Sequence, residues 1–202
     1  LITEVRVINR ETLEIETLNA NSCAFGYRDS IFKKPEGKKY IVTSVTYALH
    51  THPSPMLEYK DLKNYFANIE NPAVADIRAA VIEIRSQKFP DWRRIGTAGS
   101  FFKNPIVRRV TYEKLRAEYP GIPGFDVSDR DVKIPLGWIL DNVCNVRGIQ
   151  KGNVGTYAGQ ALVLVANENA TANEITDFAH FIADTVFEKT GITIEWEVTK
   201  LK

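Results

Sequence analysis

The feature that most constrains the fold is an apolar strand followed by a capped amphipathic helix. Residues 161–166 read ALVLVA, a run that is typical of a buried strand. Thr171 and Glu174 then have the spacing of a capping box, and Gly191 is the residue type that ends a helix. The apolar residues between them recur at helical spacing: Ile175, Phe178, Ala179, Ile182 and Val186. The sequence therefore predicts a buried strand and a helix with one core-facing side.

The early part of the chain carries strand patterns instead. Residues 2–8 and 13–18 alternate and are rich in β-branched side chains, and the turn-like residues 9–12 between them predict a hairpin. Residues 40–49, YIVTSVTYAL, form the strongest strand pattern of the chain, and HTHPSP ends it.

A second helix is predicted to begin with Asn71 as its cap and Pro72 at its first position, and to end near Lys88. The other predicted elements are a helix at 111–119, a strand at 132–134, a helix at 135–144, a glycine-punctuated loop at 148–159 and a closing strand at 192–198. Strands come first and then mix with helices, which favours an α+β fold over a regular βαβ alternation. A domain boundary is expected near residues 88–91.

Length and charge limit the classes of protein that fit. The chain has 202 residues, enough for one large domain or two small ones with a real core. Its net charge of +1 argues against bulk electrostatic attraction to nucleic acid or to an anionic membrane. No apolar run approaches the ~18 residues of a membrane span, and no signal-peptide pattern is present. Because the chain opens with Leu-Ile-Thr-Glu-Val inside a predicted strand, we expect it to be cut from a longer protein.

The cysteine and histidine content argues against disulfide bonds and metal sites. Cys23 and Cys144 have no CxxC or histidine-rich context, so reduced thiols in a cytosolic protein are expected. The three histidines lack an HExxH spacing, so no metal site is predicted.

The segment GSFFKNP, residues 99–105, places two phenylalanines between polar residues of different chemistries. Ser100 has no histidine near it in sequence and does not lie in a GxSxG elbow, so nucleophilic catalysis is poorly supported. A rigidly held serine can instead donate a proton to a carbanion or enolate. Gly96 and Gly99 would let the backbone approach a ligand closely. The alternative is a serine that caps a turn above two core aromatics.

Other candidates also have two interpretations. Arg28 can bind a carboxylate through its guanidinium fork, or pair with Asp29. Glu195 and Glu197 lie on one face of the predicted strand, where they serve a site or simply face solvent. Lys88 suits the C-terminal end of a helix without any ligand. Taken one by one, these residues specify no reaction.

Seven motifs occur together and in a fixed order. They are CAFGYRDSIFK (23–33), LEYKDL (57–62), RSQKFPD (85–91), GTAGSFFKNP (96–105), GWILD (137–141), QALVLVAN (160–167) and IEWEV (194–198). With these seven motifs the chain resembles the C-terminal part of the UDP-N-acetylenolpyruvoylglucosamine reductases, also called UDP-N-acetylmuramate dehydrogenases. The resemblance covers essentially the whole chain.

The resemblance implies a fold and an activity. Residues 1–89 would be the tail of an FAD-binding domain, 90–190 a substrate-binding domain and 191–202 a closing strand that packs on an N-terminal part not present here. The family carries FAD, which NADPH reduces, and transfers hydride to the enolpyruvyl double bond of a UDP-sugar to give UDP-N-acetylmuramate. It works in the bacterial cytoplasm on a cell-wall precursor. We expect a monomer whose partner is the small UDP-sugar.

The resemblance also assigns roles by position. Ser100 stands where the family keeps its proton donor, and Arg28 and Glu197 stand where two residues stabilise the enolic carboxylate. Arg28 and Gly99 are also expected beside the flavin. The positions that correspond to substrate contacts, mainly with the UDP and pyrophosphate part, are Tyr59, Arg85, Lys88 and Asn104. Tyr59 looks like the tyrosine of the subtype with a loop over the substrate.

The chain departs from the family in two ways. The glycine-rich loops that hold the FAD pyrophosphate in the family's N-terminal half are absent, so we expect this chain alone to bind FAD poorly and to be inactive. The family often has proline between the two acids of its closing motif, where this chain has Trp196. The rival functions are a non-catalytic UDP-sugar-binding or interaction module, which the Ser, Arg and Glu set disfavours, and another flavoenzyme, which GSFFKNP disfavours.

Overall fold

Two compact units make up residues 1–201, the part of the chain that the computed structural model describes. They are Leu1–Met56 and the residues from Leu57 onward. Both strands and helices are present, which confirms the predicted α+β class. The boundary between the units, after Met56, comes earlier in the chain than the break predicted at 88–91. The helices Lys60–Tyr65 and Val74–Lys88 therefore belong to the second unit.

The first unit is built on a three-stranded antiparallel sheet in the order β2-β1-β3. Its strands are β1 (Ile2–Asn9), β2 (Ile15–Asn19) and β3 (Tyr40–Tyr47). The β1–β2 pairing, in which Ile8 lies opposite Ile15, confirms the predicted hairpin. Two short 3₁₀ helices, Ile31–Lys33 and Pro35–Gly37, precede β3.

Over its described residues, 57–201, the second unit contains two small antiparallel sheets and five helices. One sheet has the order β4-β6-β5, with β4 (Ile106–Arg108), β5 (Phe125–Asp126) and β6 (Asp131–Lys133). The other has the order β7-β8-β9, with β7 (Gln150–Lys151), β8 (Val154–Tyr157) and β9 (Gln160–Ala166). The helices are α1 (Lys60–Tyr65), α2 (Val74–Lys88), α3 (Arg109–Glu118), α4 (Leu136–Asn142) and α5 (Ala172–Thr190).

Helix α5 forms as its sequence predicts. The Thr171 hydroxyl accepts a hydrogen bond from the Glu174 amide (3.2 Å), and the Glu174 carboxylate accepts one from the Thr171 amide (2.8 Å). Gly191 ends the helix with φ 69°, in the left-handed region. The apolar stripe is buried in the main core of this unit, together with residues of α4 and β9.

Three local predictions are wrong. Helix α2 is capped by Ala73, whose amide donates to the Asp76 carboxylate (3.2 Å), because Asn71 adopts a left-handed φ of 51° before the helix starts. The glycine loop at 148–159 is a hairpin of β7 and β8 that turns at Gly152 (φ 58°). Residues 192–198 form no regular strand; this segment is extended and makes one isolated bridge, between Trp196 and Phe102.

Within residues 1–201, no helix is long and apolar enough to cross a membrane. The same residues contain no cluster of three or more histidine, cysteine, aspartate or glutamate side chains that could hold a metal ion. Cys23 and Cys144 are both buried, unbridged thiols.

Candidate active site

The segment that carries Ser100 lies along the edge of β9. Backbone hydrogen bonds join Gly96 and Ala166 in both directions (2.9 and 2.8 Å), and the Phe101 amide donates to the Leu162 carbonyl (2.9 Å). Ser100 lies between these two anchor points and is partly buried. The serine is therefore fixed by backbone bonds on both sides.

The two phenylalanines explain the mixed composition of this segment. Phe101 is 5% exposed and Phe102 is 2% exposed, and both belong to the main core. Gly99 has φ 77°, and a Cβ built on it would meet no atom within 4 Å. Because that conformation is costly for other residues, glycine is required here by the backbone, and the space beside it is open. The core thus holds the segment, while the Cβ position of Gly99 faces open space and Ser100 is partly buried.

A distant segment of the chain runs beside Ser100. The Glu197 amide donates to the Phe101 carbonyl (2.8 Å), and the Lys103 amide donates to the Glu195 carbonyl (2.9 Å). The Lys103 ammonium also pairs with the Glu195 carboxylate at 2.7 Å. The structure therefore places Ser100 and Glu197 on neighbouring backbone segments of the second unit. Glu195 has a different role, since it pairs with Lys103 at the surface.

Asn104 has a structural task. Its amide oxygen accepts a hydrogen bond from the Leu136 amide (2.9 Å), which satisfies an N-terminal N–H group of α4. The substrate contact assigned to Asn104 by resemblance stays a prediction.

A second group of candidate residues meets where α1 packs against α2. The Lys88 ammonium lies 5.5 Å from the centre of the Tyr59 ring and forms an ion pair with Asp61. Desolvation lowers the pKa of Lys88, but its hydrogen bond to Asp61 and its interaction with Tyr59 outweigh that effect, so the pKa is raised. Arg85 lies one turn before Lys88 on α2, with its guanidinium 4.8 Å from the Phe89 ring. We refer to Tyr59, Asp61, Arg85 and Lys88 as the lysine cluster.

Arg28 lies in the first unit, in a tight turn closed by a bridge between Gly26 and Asp29. Its φ of 54° is unusual for a residue with a side chain, and such conformations are found disproportionately at functional sites. Its guanidinium lies 5.9 Å from the centre of the Tyr27 ring, and Asp29 pairs with Lys34 at 2.7 Å.

Sequence reasoning missed two residues that the structure places beside the candidates. Asp61 is the partner of Lys88, and Trp196 packs on Phe101 with ring centres 5.1 Å apart. Asp61 follows Tyr59 by two residues at the start of a helix, and Trp196 separates two acids, so each had a signal in the sequence. Neither signal identified the residue that Asp61 or Trp196 contacts.

Together, these features define an α+β domain in which a serine and a glutamate lie on neighbouring segments and a tyrosine–lysine cluster occupies the end of a helix. The family model described as UDP-N-acetylenolpyruvoylglucosamine reductase, C-terminal domain, matches residues 90–201. The chain belongs to this family, which confirms the resemblance seen in its motifs.

Curated relatives extend the match to nearly the whole chain. The protein named UDP-N-acetylenolpyruvoylglucosamine reductase from Ralstonia nicotianae is 43% identical over 195 residues, which are 96% of this chain and 57% of the relative. Proteins of the same name from Cupriavidus pinatubonensis and Flavobacterium johnsoniae are 41% and 40% identical, again over 57% of their own length. This chain therefore spans a little more than half the length of these relatives.

Proposed function

We propose that this chain serves the reaction for which its relatives are named: reduction of the enolpyruvyl group of UDP-N-acetylglucosamine enolpyruvate to UDP-N-acetylmuramate, a step of peptidoglycan precursor synthesis. The observation that carries the proposal is the hydrogen bond from Glu197 to Phe101. It places the backbone of Glu197 next to Phe101, the residue that directly follows the serine named by the family resemblance as proton donor. On this proposal the chain acts in the cytoplasm, as a monomer, on a UDP-sugar.

Bound FAD, reduced by NADPH, would supply the hydride that adds to one carbon of the substrate double bond. The electron pair of that bond then lies on the neighbouring carbon and is delocalised into the carboxylate as an enolate. The Ser100 hydroxyl gives its proton to that carbon, which completes the net addition of two hydrogens, and the serine oxygen then takes a proton from water. A serine is a weak acid, so its position must be fixed before the reaction, and the backbone bonds at Gly96 and Phe101 support that requirement.

Arg28 and Glu197 are proposed to stabilise the enolic carboxylate. Arg28 would act through its charge, and Glu197 as a neutral carboxyl that donates a hydrogen bond, since a carboxylate would repel the growing negative charge. A guanidinium offers two parallel N–H donors that match the two carboxylate oxygens, and negative charge grows there as the hydride is added. The positive φ of Arg28 is compatible with a functional role, but Leu13 and Ala24 have similar φ values, so the guanidinium chemistry carries this assignment.

One feature beside the serine supports a bound flavin. A Cβ built on Gly99 would meet no atom within 4 Å, so a ligand can approach the backbone there. Gly99 is the residue of the second unit proposed to contact it, and the family resemblance also assigns Arg28, in the first unit, to the flavin. Residues 1–89 lie outside the matched family model, and their assignment to the tail of a flavin-binding domain, with a boundary at 89/90, is part of the proposal.

The lysine cluster is the proposed site for the diphosphate of the UDP group, with Asn104 as a further contact. Lys88 and Arg85 supply positive charge from one face of α2, and the Tyr59 ring lies over the Lys88 ammonium. A diphosphate would exchange places with Asp61 on Lys88, so the cation remains paired in both states.

The test is a fusion protein that joins this chain to the part of the Ralstonia nicotianae relative that the chain does not match. We expect the purified fusion protein to hold FAD, to oxidise NADPH, and to convert UDP-N-acetylglucosamine enolpyruvate into UDP-N-acetylmuramate, followed by mass spectrometry. A fusion protein that holds FAD and binds the UDP-sugar without turnover would overturn the proposal and favour a non-catalytic UDP-sugar-binding module.

A further inference from the structure

We propose that Trp196 is a positioning residue, which fixes Glu197 relative to Ser100 through a stack of three rings. The Trp196 ring lies 5.1 Å from the Phe101 ring at an interplanar angle of 68°, and 5.4 Å from the His180 ring at 37°. Phe101 follows Ser100 directly, and Trp196 precedes Glu197 directly. The catalytic meaning of this contact rests on the proposed function, whereas the contact itself does not.

The backbone alone is a weak connection between the two segments. A single bridge joins Trp196 to Phe102, flanked by the hydrogen bonds of Glu197 and Lys103, and residues 191–201 form no regular strand. A ladder this short frays easily, since isolated pairs of short strands are marginal in water. Side-chain packing must therefore hold the Glu197 segment in register.

Helix α5 supplies the fixed surface against which the stack is held. The His180 side chain is exposed, but its neighbours on α5, Ala179 and Ile182, are fully buried in the main core. Phe101 is buried in the same core, so the rings on both sides of Trp196 belong to well-packed elements. Offset and edge-to-face aromatic contacts of this kind have a defined geometry. They therefore bury the Trp196 ring and also fix where it lies.

The nearby ion pair is a poor candidate for the same role. Lys103 and Glu195 pair at 2.7 Å, but the Glu195 side chain is 74% exposed. Exposed ion pairs contribute little, because water and salt screen them. Glu195→Gln is therefore a matched control that alters the same segment without touching the ring stack.

The first experiment measures amide hydrogen exchange in the 202-residue chain, by NMR. Trp196→Leu keeps an apolar side chain and removes the ring, and we expect the Glu197 and Lys103 amides to exchange at least about tenfold faster while α5 amides keep their rates. Trp196→Phe should restore slow exchange, and His180→Ala should have a smaller effect of the same sign. Unchanged Glu197 and Lys103 amides in Trp196→Leu would overturn the proposal.

The second experiment separates positioning from general destabilisation in the fusion protein. Trp196→Leu should leave flavin reduction by NADPH unchanged and slow reoxidation by the enolpyruvyl substrate about tenfold, because a small misplacement near reacting atoms is costly. Trp196→Phe should recover most of that rate, and Glu195→Gln should behave as wild type. Equal losses in both half-reactions would overturn the positioning role. If the wild-type fusion protein has no such activity, the proposed function fails, and hydrogen exchange still decides whether Trp196 couples the segments.

Discussion

The Ser100 segment and the lysine cluster lie in the same unit but are held in different ways. Backbone hydrogen bonds to β9 and two buried phenylalanines fix Ser100. The lysine cluster depends on side chains: the ion pair of Lys88 with Asp61, the Tyr59 ring, and a hydrogen bond from the Tyr65 hydroxyl to Glu83 (2.9 Å). Tyr59 itself is 62% exposed.

This difference matches the two tasks proposed for the regions. Proton transfer demands a fixed distance between donor and carbon, and a packed backbone provides it at no cost during the reaction. Recognition of a flexible, charged nucleotide tolerates side chains that exchange one anion for another. The comparison predicts that mutations in the first region act on stability and chemistry together, whereas mutations in the second act mainly on binding.

The largest effect is expected from Phe102→Ala. Removing this fully buried ring leaves a cavity under the Ser100 segment, and such changes cost about 3–5 kcal/mol. Urea denaturation of the 202-residue chain measures the loss. Phe187→Ala, at a residue that is 56% exposed, is the control and should cost much less. Equal losses would contradict the view that the core holds this segment.

Gly99→Ala tests the backbone rather than the core. The new methyl group has space, but its φ of 77° is unfavourable for alanine by about 1–2 kcal/mol. Gly26→Ala is a matched control, because Gly26 has no positive φ and its added Cβ would lie 3.8 Å from Asp29 Cβ. Similar denaturation midpoints for the two variants would show that the conformation at Gly99 is not what requires glycine.

Elements with local signals could be predicted, and the pairing of distant segments could not. The Thr171 capping box and Gly191 fixed helix α5 from its own residues. The hairpin of β7 and β8 was missed because its first strand has only two residues, too few for an alternating pattern. The contact of Trp196 with Phe101 joins residues that are far apart in the sequence, so composition and residue spacing do not predict it.

The candidate site divides in the same way. Ser100 and Glu197 could be singled out from their motifs, but their adjacency depends on a backbone bond between segments far apart in sequence. For Asn104 the structure adds a role that its motif did not indicate: the amide oxygen accepts a hydrogen bond from the first residue of α4, while the ligand contact stays a prediction.

Asp61→Asn tests the lysine cluster and should reduce stability less than the two substitutions in the Ser100 segment. Desolvation lowers the pKa of Lys88, whereas the hydrogen bond and charge of Asp61, together with Tyr59, raise it above the ordinary 10.5. We therefore expect that pKa to fall in the variant. A raised lysine pKa stabilises the folded state at neutral pH, and that contribution disappears as pH rises through the raised pKa. The expected loss at pH 7 is at most about 1 kcal/mol. NMR titration of the Lys88 side chain checks the pKa, and a value unchanged by the substitution would contradict the pairing.

Arg28→Gly extends the comparison to the first unit and should have the smallest effect on stability. Glycine adopts the observed φ of 54° without strain, so the substitution should leave the free energy of unfolding unchanged or raise it by up to about 1 kcal/mol. In the fusion protein the same variant should lose most of its turnover. A stable chain that also keeps full turnover would remove Arg28 from the proposed site.

The central claim is that Ser100 donates a proton to the substrate, and Ser100→Ala in the fusion protein tests it most directly. Stopped-flow absorbance follows flavin reduction by NADPH and reoxidation by the enolpyruvyl substrate separately, with Ser54→Ala as the control. The account predicts an unchanged reduction rate and a reoxidation rate that falls by at least about 10²-fold. Reoxidation by substrate at the wild-type rate would contradict it and return Ser100 to the role of a turn residue above two core phenylalanines.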